Sequence, residues 1–316
     1  MRIGLIDADG GKFPNIPLMK ISAWHKAQGH SVEWYDPMFS GHLDKVYVSK
    51  VFSFTPDYEY YINADEVVYG GSGYAIELVN GKEIYHKSKD PDLPPEIEHM
   101  YPDYSLYKEQ TGWHKRKTKQ TAYGFLSRGC PRGCEFCHVG CKEGRKAYKV
   151  ADLKEFWNGQ KNIVLCDPNI LACREWKDLL QQLIDSKAYV DFNQGLDIRL
   201  MTEKKIAMLN DIKVKQIHFA WDNPKDKLEK RFTYYAERAK HKPHGSYGTV
   251  YVLTNFGSTM KENLHRIYTL RDLGFDPYVM IYDKEHLPRK HELRRLQRWV
   301  NNKWIFRSCE RFEDYR

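Results

Sequence analysis

Two hydrophobic patterns alternate along the chain: short apolar runs bounded by turn residues, and longer stretches in which apolar residues return every third or fourth position. Before residue 90 the strand-like runs are RIGLIDAD (2–9), HSVEWYD (30–36), KVYVSKVFS (45–53) and DEVVYGGSG (65–73), with a helical stretch at PLMKISAWHKAQG (17–29). That order reads as the start of a parallel, doubly wound sheet. From Lys87 to Lys119 the chain is polar, carries Pro91, Pro94, Pro95 and Pro102, and ends in the basic run HKRKTK, so it reads as an extended linker.

Beyond the linker the alternation is regular. Strand-like runs at AYGFLS, KNIVLCD, AYVDFNQ, KQIHFAW, TVYVLTN and DPYVMIYD are separated by helical patterns at DLKEFW, ACREWKDLLQQLIDS, EKKIAMLN, KDKLEKRFTYYAERAKH and MKENLHRIYTLRDLG. Six such βα steps with right-handed crossovers roll into a complete or partial parallel barrel, whose functional residues gather at the carboxyl ends of its strands. The expected class is therefore α/β: a small parallel-sheet domain at 1–86, the linker at 87–119, a partial (β/α)6 TIM-like barrel at 120–284 and a basic helical extension at 285–316.

Composition narrows the setting. The 316 residues include 41% hydrophobic and 14% aromatic residues, enough for a sizeable core without covalent staples. No window approaches the roughly 20 uninterrupted apolar residues of a membrane span. The opening MRIGLIDADG reads as a strand entering a loop rather than a signal peptide, so a cytoplasmic protein with reduced thiols is expected. The net charge of +8 leaves room for a polyanionic partner such as tRNA or DNA, although a charged solvated surface explains it equally well.

Four of the seven cysteines fall in SRGCPRGCEFCHVGC, residues 127–141, just past the first strand of the βα series. Pro131 and Gly133 argue for a tight loop rather than a helix. Three thiolates on such a loop can anchor a [4Fe-4S] cluster and leave one iron open.

CPRGCEFC at this place, with the aromatic Phe136 just before the third cysteine, resembles the radical S-adenosylmethionine superfamily over roughly Tyr123 to Asp283. The resemblance implies that Cys130, Cys134 and Cys137 hold a [4Fe-4S] cluster. Its fourth iron is chelated by the amino and carboxylate groups of S-adenosylmethionine, and reductive cleavage yields a 5′-deoxyadenosyl radical that abstracts hydrogen from a substrate. A reductant such as flavodoxin or ferredoxin is then needed. A structural zinc site of Cys130, Cys134, Cys137 and Cys141 is the alternative, but no second CxxC supplies the usual paired ligands. A four-ligand electron-transfer cluster is another, and it would not need a barrel. Cys141 is surplus to the three-ligand pattern.

Contacts to S-adenosylmethionine follow the family less closely. Many members carry a Gly-Gly-Glu run after the second strand, where this chain has CDPNIL, so Asp167 or Asn169 takes that position. FNQGLDIRL offers Asn193, Gln194, Asp197 and Arg199, with Arg199 suited to a carboxylate or to an ion pair with Asp197. Asp222 and Asn223, and Thr254 and Asn255, end the next strands as ribose or adenine contacts or as helix caps. Tyr123, Tyr251, Tyr278 and Tyr282 fall on strands, where packing is the ordinary role and hydrogen relay the sharper one.

The region before the linker resembles the flavodoxin-like domain of cobalamin-binding radical enzymes. It lacks the DxHxxG ligand motif, and His25, His30 and His42 lie in other contexts, so cobalamin is not favoured and a structural or substrate-facing domain is expected. It supplies no cysteine before Cys130, which argues against the second cluster of methylthiotransferases. The C-terminal LPRKHELRRLQRWVNNKWIFRSCERF is basic and amphipathic, with Leu293, Leu296, Val300 and Trp304 near helical spacing. It is expected to pack on the barrel, or, together with His114 to Lys119, to contact phosphates while Trp299, Trp304 or Phe306 stacks on bases. The substrate class is left among nucleic acid, peptide and small metabolite. The non-enzymatic alternative is a zinc or iron-sulfur module that binds nucleic acid.

Overall fold

The computed structural model describes residues 1–10, 13–79, 82–107 and 120–316, so the basic run at 114–119 lies outside the described residues. It divides into two compact units, Met1–Val164 and Leu165–Arg316. The strands are β1 (Arg2–Asp7), β2 (Ser31–Trp34), β3 (Leu43–Ser49), β4 (Ala64–Gly70), β5 (Ile76–Val79), β6 (Lys82–Tyr85), β7 (Thr121–Gly124), β8 (Ser127–Arg128), β9 (Tyr148–Lys149), β10 (Asn162–Leu165), β11 (Tyr189–Phe192), β12 (Lys213–Ala220), β13 (Thr249–Thr254) and β14 (Asp276–Ile281).

The protein is α/β, with a small flavodoxin-like parallel sheet followed by a partial (β/α)6 barrel. The first sheet has the order β2-β1-β3-β4 and is parallel throughout. This is a flavodoxin-like order one strand short. The helix Ile16–Ala27 starts where Asn15 accepts a hydrogen bond from Leu18 N at 3.2 Å, and it buries Leu18, Met19 and Ile21. The cluster Ile6, Leu43, Val46 and Val48 is covered instead by Tyr35, Tyr58, Ile62 and Tyr74 from irregular or short connecting segments. Large aromatic rings thus replace a second helical layer.

At the carboxyl end of β1, the Tyr107 hydroxyl donates to Asp7 Oδ2 at 2.9 Å and accepts from Asn15 N, also at 2.9 Å. Burial raises the Asp7 carboxyl from 3.8 to about 6 despite that bond. Between those two values the unfolded chain releases a proton that the folded carboxyl keeps, so stability falls as pH rises through the window and is level above it. Asp7→Asn keeps an acceptor for Tyr107 and removes the loss. The variant should match the parent in urea unfolding below about pH 4 and exceed it by on the order of 2 kcal/mol above about pH 6.5.

The second sheet has the order β14-β13-β12-β11-β10-β7, so its strands lie in chain order, and the pairs from β11 to β14 are parallel. Within the second unit, Val250 and Val252 on β13 and Val279 on β14 are fully buried, while Tyr278 and Met280 alternate with them and are exposed. The edge strand β14 is closed by the helix Glu292–Asn301: Val279 N donates to Asn301 Oδ1 at 2.8 Å, and Asn301 Nδ2 and Gln297 Nε2 both donate to Val279 O at 3.0 Å. Two amide side chains thereby do the work of a further strand and hide an edge that would otherwise pair with another chain.

That helix buries Leu293, Leu296, Trp299 and Val300. Trp299 and Phe306 are therefore core residues, as the packing alternative has it, and cannot stack on bases. Trp304 departs from the buried stripe, because the chain breaks at Asn302, whose side chain caps a new short helix by accepting from Trp304 N and Ile305 N. Among the described residues no helix is long and apolar enough to cross a membrane.

Candidate functional site

The expected first strand at 122–127 is two strands. After β7 the chain turns, and β8 pairs antiparallel with β9, Ser127 opposite Lys149 and Arg128 opposite Tyr148, so the cysteine segment is a loop tied at its neck. Gly129 at the neck has φ +79°, and a Cβ there would lie 2.1 Å from Lys146 O, so only glycine fits the close pass of the two arms. Glu143 fastens the same place, accepting from Arg128 Nη1 at 2.8 Å and from Gly129 N at 2.9 Å. The guanidinium of Arg128 lies 3.4 Å above the Phe125 ring.

Inside the loop, Cys137 N donates to Cys134 O at 3.0 Å and Cys130 N to Gly144 O at 3.2 Å. These bonds fix the backbone that carries the thiols. Cys130, Cys134, Phe136 and Cys137 are half-buried and Cys141 is exposed. Burial pushes the Cys137 thiol up to about 11, and the charges of Cys134 and Cys130 add to the rise. Cys141 Sγ donates to His138 O at 3.0 Å, within its own turn of helix at Val139–Lys142.

The amino-terminal region of the same unit holds this loop. Lys142 Nζ donates to Ser72 Oγ at 2.5 Å and lies 3.3 Å from Asp90, and His138 Nδ1 is 3.3 Å from Glu83 on β6. The β5–β6 hairpin that supplies Glu83 was not legible as strands in the sequence. His25 and His30 meet each other at 2.8 Å, and His25 meets the Tyr47 hydroxyl at 3.0 Å, so these two histidines serve packing inside the first sheet's layers.

Among the described residues no three His, Cys, Asp or Glu side chains are gathered as one metal ion requires. A single zinc with bonds of about 2.3 Å draws its thiolates within roughly 4 Å of one another, whereas a cubane spreads three ligands over three irons. Three half-buried cysteines on one tied loop are the residue types for that looser requirement.

In the second unit the remaining candidates follow the strand ends. Asp167 and Asn169, after β10, are both buried, and Asn169 Nδ2 is 3.5 Å from Asp197 Oδ2. Asn193 follows β11 and its backbone N donates to Leu165 O at 3.1 Å. Arg199 takes the ion pair that the sequence left open: its Nε donates to Asp197 at 2.7 Å and its Nη1 to Asp226 at 2.8 Å. Asp222 accepts from Leu253 N at 3.2 Å, and burial raises its carboxyl to about 6. Asn255 is exposed, sits at φ +64°, and donates to Tyr282 O at 2.8 Å. Thr254 is fully buried and donates to Met280 O at 3.0 Å, a backbone tie between β13 and β14. Cys166 and Cys173 are buried as expected of packing residues.

Sequence reasoning missed Arg266. It is fully buried on the helix Met260–Asp272, and its guanidinium donates to Trp221 O, Asp222 O and Leu253 O at 2.6, 2.8 and 3.0 Å. It thus gathers the ends of β12 and β13, where Asp222 and Asn255 sit. A scan against protein-family models finds no match for the chain, and none of the curated proteins matches it.

Proposed function

We propose that the chain is a radical S-adenosylmethionine enzyme. The observation that carries the reading is the CxxxCxxC loop that follows the first strand of a six-step βα series and is tied at its neck by the β8–β9 pairing. Cys130, Cys134 and Cys137 are the residues for a [4Fe-4S] cluster, with Phe136 beside the third ligand. When bound, that cluster and S-adenosylmethionine supply a 5′-deoxyadenosyl radical on reduction by a flavodoxin or ferredoxin.

The chain's own share is holding and orienting. Arg199 is taken by Asp197 and Asp226 and ties the segment after β11 to the one after β12. Asp167 or Asn169 accepts from the methionine ammonium, Asn193 and Asn255 serve the adenine or ribose, and Asp222 accepts from a ribose hydroxyl. The amino-terminal domain braces the cysteine loop through Ser72, Glu83 and Asp90, a role that needs no cobalamin.

The test is anaerobic reconstitution with iron and sulfide, then electron paramagnetic resonance of the reduced protein with and without S-adenosylmethionine and chromatography for 5′-deoxyadenosine. A [4Fe-4S] signal that changes on adding S-adenosylmethionine, with 5′-deoxyadenosine formed, is the expected result. Stoichiometric zinc, or a cluster indifferent to S-adenosylmethionine, sinks the proposal.

A further inference from the structure

The open face of the sheet in the second unit carries a file of rings that runs from solvent inward. Tyr278 on β14 is 40% exposed; opposite it in register, Tyr251 on β13 is half-buried and meets it edge to face at 5.8 Å between centroids. Tyr251 in turn lies nearly parallel to His218 on β12, at 5.2 Å and 16°, and His218 is only 7% exposed. His218 Nδ1 is buried with no hydrogen-bond partner among the described residues. A buried ring nitrogen left without a partner is uncommon in folded proteins and sets this histidine apart from an ordinary packing residue.

Tyr278 also forms the wall of a groove of about 630 Å³ between β14 and the helix Glu292–Asn301. The other walls are Lys284, Arg294 and Arg298 with the amides Gln297 and Asn301, and no carboxylate lines it among the described residues. Arg294 donates to Leu287 O at 2.8 Å and to Lys284 O, which fixes the segment that presents Lys284. Arg298 is exposed on the helix surface while its neighbours Trp299 and Val300 are buried. Three cations with no acid among them, beside an exposed ring that opens onto two more, match a chain of phosphates bearing flat bases. An acidic peptide without aromatic side chains, or a small anion, would meet the cations and leave the ring file idle.

We propose that this groove binds single-stranded nucleic acid, with phosphates against Lys284, Arg294 and Arg298, a base stacked at Tyr278, and the next base directed along Tyr251 to the His218 imidazole. This deepens the radical S-adenosylmethionine reading by naming its substrate class, and it rests on that reading for the chemistry but not for the binding.

Fluorescence anisotropy of the full chain with labelled ribo- and deoxyribo-oligonucleotides tests it, with salt varied from about 50 to 200 mM. Binding of either sugar type should weaken linearly in log salt, and Lys284→Gln and Arg298→Gln should each flatten the slope by roughly 0.7. Tyr278→Ala should weaken binding by roughly 5- to 100-fold, and Tyr278→Phe should restore it. Lys204→Gln, on the exposed surface of the helix Glu203–Asp211 and outside the groove, should change nothing. Cys134→Ala should bind like the parent, so a failure of the cluster chemistry is read separately from a failure of the groove. Absence of binding, equal losses from Lys204→Gln and Arg298→Gln, or a duplex held as tightly as a single strand overturns the proposal.

Discussion

Alanine at Cys130, Cys134 or Cys137 is expected to abolish both the reconstituted cluster signal and 5′-deoxyadenosine formation, while alanine at Cys141 leaves both in place. The three inner cysteines sit where the loop backbone is fixed, by the Cys137-to-Cys134 and Cys130-to-Gly144 hydrogen bonds, and burial with mutual repulsion keeps Cys137 protonated in the metal-free chain. That is a cost the fold bears for placing thiols together, and iron relieves it by replacing protons. Cys141 faces outward and spends its thiol on His138 O in its own turn. On the proposed reading, loss of any inner thiol removes one of three ligands and leaves no substitute in the same position. Iron and sulfide content, the reduced resonance signal and the 5′-deoxyadenosine yield read the series, with urea midpoints confirming that each variant is folded. A Cys141→Ala protein without a cluster would make this a four-ligand site with no open iron, and a Cys134→Ala protein that keeps one would remove the loop from the chemistry.

The strands themselves were readable, since the central ones are apolar runs with buried residues, and each run from RIGLIDAD to DPYVMIYD contains a strand. The hairpins that shape the cysteine loop were not. β8 and β9 are two residues long, too short for any periodicity, and the single apolar run AYGFLS hides the turn between β7 and β8. The brace from Glu83 depends on β5 and β6, whose side chains are mixed in polarity and belong to a two-stranded ribbon rather than to a core sheet. At the strand ends, residue types were legible but partners were not: Arg199 is committed to Asp197 and Asp226, of which only the first lies within its own sequence neighbourhood. At the C-terminus the packing helix was legible, but the fate of each ring was not: Trp299 falls on the buried stripe three residues after Leu296, and Trp304, which the spacing put near that stripe, is exposed because the cap at Asn302 restarts the helical phase.

Arg266→Met is expected to cost roughly 3–5 kcal/mol, the largest stability effect of any single substitution considered, because a buried cation with several partners is removed from one side only. The guanidinium serves three backbone carbonyls at the ends of β12 and β13 and the Asn263 side chain at 2.6 Å, and methionine of similar length fills the space while donating to none of them. Burial lowers the Arg266 pKa to about 10, so the charge is still present at neutral pH, and the Asp222 carboxylate favours it. Without it the Asp222 carboxyl loses an influence that holds its value down, and should titrate above its present value of about 6. Lysine at this position should recover only part of the loss, since a point ammonium cannot serve carbonyls on two strands in the plane that the guanidinium does. Urea unfolding of the parent, Arg266→Met and Arg266→Lys, followed by tryptophan fluorescence, to which the enclosed Trp221 and Trp299 contribute, measures the ranking. Since Arg266 joins the two strand ends that present Asp222 and Asn255, Arg266→Lys should also bind S-adenosylmethionine more weakly under conditions in which it is fully folded. An Arg266→Met protein within about 1 kcal/mol of the parent would mean that the strand ends are held by the sheet alone.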